Sequence, residues 1–322
     1  PGLNLTLESE ANIDFDNTSL RLFDVPAIYD DEQFTQELQL NYRGEALSLV
    51  SGLYYFDGKA CGVFNAILDV LGQAMMLPGF TLEVSGCSES QSAALYSQAS
   101  YELTSRLTLT AGARYTREEK QVKVNNGAVF ETLYPASNWV PGFERDESLV
   151  EASVPTVLDD SKTWHRVTPS LGLDYQFSDK FMAYISYAQG FKSGMFNPRA
   201  ASAEPAVAPE IVDSVELGLK SQWFDRLRLN ATVFTLEHRN RQFVTVLEGE
   251  GPGDLDQRLG NIGESKAHGV ELEMHLAATP YLNVQFALGQ IDSEFTDALA
   301  YNGVDYDDIS HRFSIIQTPE IT

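Results

Sequence analysis

Long apolar runs are missing from this chain. Nowhere in its 322 residues is there a stretch approaching the ~18 uncharged apolar residues that a transmembrane helix needs, and the mean hydropathy is −0.20. That excludes a helical membrane protein. Basic residues are scarce too: 22 Lys and Arg stand against 46 Asp and Glu, a formal charge of −24. Nucleic acid is thereby excluded as a partner, because a phosphate-binding face needs clustered Lys and Arg. The acid excess reads as a solvated surface in preference to a specific cation-binding role. Cysteine is down to Cys61 and Cys87, neither of them in a CxxC, so a zinc or redox motif is excluded. Pro1 opens the chain with no charged n-region, apolar h-region or cleavage site. An exported protein needs these, so the expectation is a leader already processed away or an interior piece of a longer chain.

What the chain has in abundance is alternation. From Val167, one face carries Val167, Pro169, Leu171, Leu173, Tyr175 and Phe177, and the other Thr168, Ser170, Gly172, Asp174 and Gln176. Ser178-Asp179-Lys180 reverses the chain, and a second run opposes Phe181, Ala183, Ile185 and Tyr187 to Met182, Tyr184, Ser186, Ala188 and Gly190. Period-two alternation around so short a turn predicts an antiparallel hairpin. Its arms run roughly 11–15 residues, about twice an ordinary strand, and ~9–11 tilted residues cross a bilayer's hydrocarbon. The same pattern recurs at Phe34–Tyr42 with Leu47–Phe56, Leu95–Leu103 with Leu107–Tyr115, Val212–Trp223 with Leu227–Val233, and Gly269–Ala277 with Leu282–Leu288. Leu3, Leu5 and Leu7 read as the end of one strand, and His311–Ile316 as the start of another.

Between the hairpins lie longer stretches. Glu10–Asp31 is acidic, residues 120–162 form a polar excursion, Lys192–Pro209 is small and proline-rich, and Gln242–Glu264 is a loop rich in Gly and acid. In Asp57–Ser90, Val63, Ile67, Val70, Leu71 and Ala74 recur at helical spacing up to Pro78-Gly79. That spacing predicts an amphipathic helix of about 13–15 residues in a loop, read as a filler packed on the rim in preference to a ligand-capping element. Cys61 and Cys87 fall in this stretch, outside the membrane, where thiols oxidise. A disulfide closing about 27 residues is expected, contributing roughly 3–4 kcal/mol on the chain-entropy model; the alternative is two free buried thiols.

Short turns near residues 44, 105, 179, 225 and 280 alternate with the long connections. Up-and-down connectivity therefore sets all short turns at one end of a sheet and all long loops at the other, as in transmembrane barrels, where Greek-key sandwiches would mix them. Tyr42, Tyr101, Tyr175, Phe177, Phe181, Trp223, Phe224 and Tyr281 cluster by the short turns, as an interface belt requires. The expected fold is all-β: an antiparallel up-and-down transmembrane β-barrel, of which this chain supplies about 11–13 strands.

Phe34-Thr-Gln-Glu-Leu-Gln-Leu40, Leu107-Thr-Leu-Thr-Ala-Gly-Ala-Arg-Tyr-Thr116, Val167–Tyr175, Tyr184-Ile-Ser-Tyr-Ala-Gln-Gly-Phe-Lys-Ser-Gly194, Pro209–Lys220 and Gly269-Val-Glu-Leu-Glu273, in this order and spacing, resemble the barrel of the TonB-dependent outer-membrane receptors over about Phe34 to Thr322. The resemblance implies a barrel of about 22 strands around an N-terminal plug. It also implies active import of a scarce solute of the siderophore, vitamin or carbohydrate class across the outer membrane of a Gram-negative bacterium. The expected partners are membrane lipid, a small-molecule ligand and, through the plug region, the TonB-type energising complex of the inner membrane. Residues 1–322 read as one barrel segment without a plug. The rival reading is a passive porin or a structural, adhesive barrel.

No catalytic constellation emerges, and no enzyme, cofactor or metal is expected. His268 and His275 differ by an odd number along one strand and so face opposite ways. There is no Gly-x-Ser-x-Gly, no defensible Ser/His pair for a barrel phospholipase, and Gly249–Asp254 lacks the strand-to-helix context of a phosphate loop. Asp305, Asp307 and Asp308 could offer calcium oxygen ligands, but a solvated acidic tip is the plainer reading. The candidate lumen-facing charges are Arg114, Glu216, Lys220, Arg228, Glu271 and Glu273; an ion-pair ladder along the wall is expected of them, ahead of contact with a plug or passing solute.

Overall fold

The computed structural model describes residues 3–15, 17, 18, 20, 22–134, 145–248, 255–261, 263–297, 299–301, 306–308, 310 and 315. Its main body is one 11-stranded antiparallel sheet. The strands are β1 (Leu3–Asp14), β2 (Asp24–Arg43), β3 (Leu47–Ile67), β4 (Phe80–Thr104), β5 (Leu107–Phe130), β6 (Thr156–Ser178), β7 (Phe181–Lys192), β8 (Glu210–Trp223), β9 (Leu227–Arg239), β12 (Glu264–Thr279) and β13 (Leu282–Asp297), each beside its chain neighbour. β10 (Gln242–Glu248) and β11 (Leu255–Asn261) form a separate ribbon between β9 and β12, and β14 (Leu299–Tyr301) pairs with β15 (Tyr306–Asp308). The five short turns all fall at one end of the sheet and the long connections at the other, as the spacing predicts. The proposed strand at His311–Ile316, the Gly249–Asp254 loop and the Asp305 position lie outside the described residues, Ile315 excepted; so do the side chains of Asp307 and Asp308.

Along the middle of the sheet neither face is fully buried. One face is a band of exposed apolar side chains. Leu38 is 68% exposed, Leu95 57% and Leu171 53%, values no soluble core would leave. The band has sharp edges: on β5 it runs from Leu107 to Tyr115 and Arg117 follows, and on β6 it runs from Phe177 back to Val167 and His165 follows. These lengths match the ~9–11 residues a tilted strand needs to cross hydrocarbon. Phe34 and Tyr55 close the upper edge with ring centroids 6.4 Å apart, and along the lower one Phe177 meets Tyr175 edge to face and Phe181 at a tilt, with centroids 4.7 and 5.1 Å apart. β1 departs from this order: its register with β2 sets Leu5 and Leu7 beside Gln33 and Asp31, on the polar face.

Three expectations about the connections need correcting, two of them because the strands run on beyond the apolar band. β3 continues to Ile67 and β4 begins at Phe80, so the helix shrinks to α1 (Asp69–Ala74). Val63 and Ile67 are strand residues whose helical spacing is coincidental; Gly58, Ala60 and Gly62 on the opposite face hid the alternation. β5 runs through Asn125-Asn126-Gly127 to Phe130, and β6 starts at Thr156, which shortens the excursion and leaves it a helix, α2 (Glu147–Ser153). Gln242–Glu264 contains the β10–β11 ribbon. Cys61 and Cys87 are opposed across β3 and β4, with Cα atoms 4.1 Å apart, and are disulfide-bonded. The bond thus staples a strand pair that already zips; it does not close a free loop.

Above the band the wall is covered on both faces. On the apolar side, Ile67 and Val129 pack with Leu133, Tyr134 and Val154 of the β5–β6 connection. There the buried Glu83 of β4 is ion-paired with Arg145, and its cross-strand neighbour Asn65 bonds Tyr134 Oη at 2.9 Å. On the polar side, Val122, Val124 and Leu158 pack with Phe196 and Ala200 of the β7–β8 connection. The connections act as small hydrophobic cores for strand ends that no lipid covers.

Candidate functional site

Register fixes which side chains share the polar face. Glu273 lies opposite Asn230, which lies opposite Lys220; Glu271 follows the same line through Thr232 to Gly218. Arg228 sits between His275 and Gln222, and Glu216 is opposite Ser186. Five of the six expected charges therefore crowd onto β8, β9 and β12, while Arg114 stands apart on β5. All six share the face opposite the apolar band.

The expected ion-pair ladder does not form. Among the described residues, no ion pair joins any two of these six groups. Carboxylates take neutral donors instead: Glu216 accepts from the Tyr184 hydroxyl, and Glu273 Oε2 accepts from Asn230 Nδ2 at 3.2 Å. Cations lie on rings. Lys220 Nζ is 5.2 Å from the centroid of Tyr184, and the Arg114 guanidinium is 5.2 Å from Tyr54 and 5.8 Å from Tyr96. Tyrosine serves both signs here, donating through its hydroxyl to a carboxylate and offering its face to a cation.

The same unit is built twice. Tyr96 donates to Glu37 Oε1 at 2.6 Å, accepts from Gln39 Nε2 at 3.3 Å, and its ring lies over Gly52 of β3 with Arg114 beside it. Tyr184 donates to Glu216, and its ring lies over Gly218 of β8 with Lys220 beside it. A Cβ on Gly52 would come within 2.4 Å of the Tyr96 hydroxyl oxygen, and one on Gly218 within 2.2 Å of Tyr184 Cε1. The glycines let each ring lie flat on the neighbouring strand instead of projecting from the wall. Tyr96, Glu37 and Gly52 carry no mark in a single-strand reading; a glycine inside an alternating strand was the available signal.

At the loop end, the β7–β8 connection folds back over the polar face as a strap. Gln242 Nε2 donates to the carbonyls of Ser193 and Ala208, 2.9 Å each, so one side chain of β10 clasps both ends. Asn126 Nδ2 holds the Ala200 carbonyl at 3.1 Å, Ser193 bonds Glu118, and Arg199 stacks 4.8 Å over the Phe64 ring. Under the strap is a cavity of about 380 Å³, bordered by Tyr29, Phe64, Lys120, Met195, Phe196 and Arg199. At the other end a 250 Å³ hollow includes Arg228 and His275. No group of three or more metal-ligating side chains occurs among the described residues. A walled surface with mixed aromatic and charged seats suits binding and passage.

A family profile described as TonB-dependent receptor-like β-barrel matches residues 3–317. The pesticin receptor of Yersinia enterocolitica is 26% identical over 278 residues, 84% of this chain and 35% of that protein; the pesticin receptor of Yersinia pestis aligns equally well. The chain thus spans about a third of the length of the curated relatives it matches. Among solved structures, the ferric yersiniabactin uptake receptor FyuA from Yersinia pestis superposes with a TM-score of 0.67 at 19% identity, over 85% of this chain and 37% of that one. The siderophore receptor PiuA from Acinetobacter baumannii gives 0.61 at 18%, over 90% and 42%. By fold and by sequence, this chain belongs to the TonB-dependent receptor β-barrel family.

Proposed function

We propose that the chain forms part of the barrel wall of an outer-membrane receptor in a Gram-negative bacterium. That receptor imports a scarce solute, energised through a plug region by the TonB-type complex of the inner membrane. The carrying observation is the two-sided wall. An apolar band of bilayer height faces one way, and the tyrosine-seated charges and the strap face the other. In a barrel the polar side is the lumen, so Arg114, Glu216, Lys220, Arg228, Glu271 and Glu273 line the solute's route or meet the plug. The small-molecule ligand enters past the strap. An iron chelate of the siderophore class is the first solute to try, because FyuA and PiuA are named for such uptake.

The test is uptake of radiolabelled ferric siderophores by cells carrying or lacking the full-length protein, with and without collapse of the proton-motive force. Saturable uptake that stops on collapse supports the reading; uptake that continues unchanged identifies a passive pore.

A further inference from the structure

The cations of this sheet are sorted by face. Lys59, Arg117, Arg239 and Lys266 each pair with a carboxylate, and register sets all four on the side of the apolar band, above it. On the polar side Lys120 and Lys192 are paired in the same way. Five other cations lie on aromatic rings: Arg114, Lys162, Arg199, Lys220 and Arg241. Among the described residues none of these five has a carboxylate partner, in a chain with 46 acidic residues against 22 basic ones. All five belong to the polar side. Register places Arg114, Lys162 and Lys220 there, Arg199 covers the polar-face Phe64, and Arg241 Nη1 donates to the polar-face Ser265 Oγ at 3.0 Å. A ring fixes a cation in place and leaves N–H groups open to an anion, which a carboxylate would occupy.

Three of the five gather at the strap. Lys162 Nζ is 5.7 Å from the centroid of Trp164, and that indole packs on the strap glycine Gly194, where an added Cβ would come within 2.3 Å of Trp164 Cζ2. The Arg241 guanidinium lies between Phe243 and Phe295, 5.1 Å from each centroid, beside the clasping Gln242. Arg199 is part of the strap and borders the 380 Å³ cavity beneath it. Ala60, Gly62 and Gly86 make room there, and Tyr29, Phe64 and Phe196 supply rings. Lys120, Lys123 and Arg199 stand on its border against a single carboxylate, Asp31.

We infer that the missing counter-charge is brought by the cargo: a ferric chelate of net negative charge whose donor oxygens are carried on aryl rings. Lys162, Arg199 and Arg241 take the negative oxygens, and the cavity's rings take an aryl arm. Guanidinium and ammonium groups suit such oxygens, and flat rings suit aryl groups. The inference names the cargo class of the receptor proposed above and rests on that reading. Carboxylates of the plug are the competing source of counter-charge; the place of these three cations, at the loop end where solute enters, favours the cargo.

The full-length protein is titrated at low salt with two iron-radiolabelled probes, a trianionic ferric tris-catecholate and a neutral ferric tris-hydroxamate. The trianion is expected to bind at least about tenfold more tightly, with the margin shrinking as salt rises. K162Q/R199Q/R241Q should erase the margin, and the charge-keeping K162R/R199K/R241K should restore it. Equal binding of the two probes, a neutral probe that binds better, or a margin surviving the glutamine variant would overturn the inference. Equal losses for both probes in the glutamine variant would assign these cations to the plug and overturn it too. Binding of neither probe would also overturn it, while uptake of another solute that stops when the proton-motive force collapses would leave the import reading standing.

Discussion

Replacing Arg145 should undock the cover on the apolar side of the β3–β5 extension. The Glu83 carboxylate is wholly buried and ion-paired with Arg145, which is itself 15% exposed; the other partner of Arg145, Glu147, is 72% exposed and adds little. Burial alone would lower the affinity of Arg145 for its proton, but Glu83 more than compensates and holds the guanidinium charged. In Arg145→Met the Glu83 charge is left buried without its cation, a loss of about 3–5 kcal/mol. The structure avoids most of that by opening: if Leu133, Tyr134 and Val154 lift off Ile67 and Val129, water reaches Glu83. Local opening should then rise ~100-fold or more, read as faster amide hydrogen exchange at Thr81, Glu83 and Val129 and quicker proteolysis between 131 and 155. Because a buried pair can be exchanged for apolar groups at little cost, Glu83→Leu with Arg145→Leu should recover most of the protection. Unchanged exchange in Arg145→Met, or a double variant no better than the single one, would refute the reasoning.

Leu171→Arg, mid-band on β6, should cost about 2–4 kcal/mol in bilayer-based unfolding. Ser170→Arg, one residue along and on the polar face, should cost less than about 1 kcal/mol; equal effects would contradict the assignment of faces. Gly218→Val should displace the Tyr184 ring and cost about 1–3 kcal/mol. Gly172→Ala, where an added Cβ meets nothing closer than 3.7 Å, should be tolerated, and denaturant midpoints of the two variants separate them. The Asp146 carboxylate caps α2, accepting from the Ser148 and Leu149 N–H groups, and the Ser148 hydroxyl first among its partners holds its pKa below the usual aspartate range. A depressed pKa contributes stability above the unfolded value and loses it as pH falls through the folded one. Docking of α2 should therefore weaken below about pH 4, and Asp146→Asn should flatten that dependence in hydrogen exchange at Ser148 and Leu149.

Period two exposed the hairpins because lipid on one side and water on the other sort side chains strictly. Leu107–Tyr115 and Val167–Phe177 were therefore legible to the residue, together with the short turns between strands. Legibility stopped where the lipid stops. Above the band both faces are covered by protein, so Val122, Val124 and Val129 are buried on opposite sides and the polar-apolar contrast fails. Hence β3, β4 and β5 were cut short and α1 overdrawn. The polar face was legible as a face but not as a network: no local pattern says that Tyr96 of β4 will reach Glu37 of β2 across Gly52, because that depends on register across three strands. The strap was legible only as composition; its clasp by Gln242 joins residues 193, 208 and 242.

The central claim is that the leucine-bearing face of this sheet meets acyl chains. A nitroxide walked from position 107 to 117 of β5 in the bilayer-reconstituted full-length protein tests it through collision rates with oxygen and with a water-soluble nickel chelate. The account predicts oxygen-rich, nickel-poor environments at 107, 109, 111, 113 and 115, the reverse at 108, 110, 112 and 114, and a switch to nickel access at 117. Low access to both reagents at the odd positions, as in a packed protein core, would contradict it.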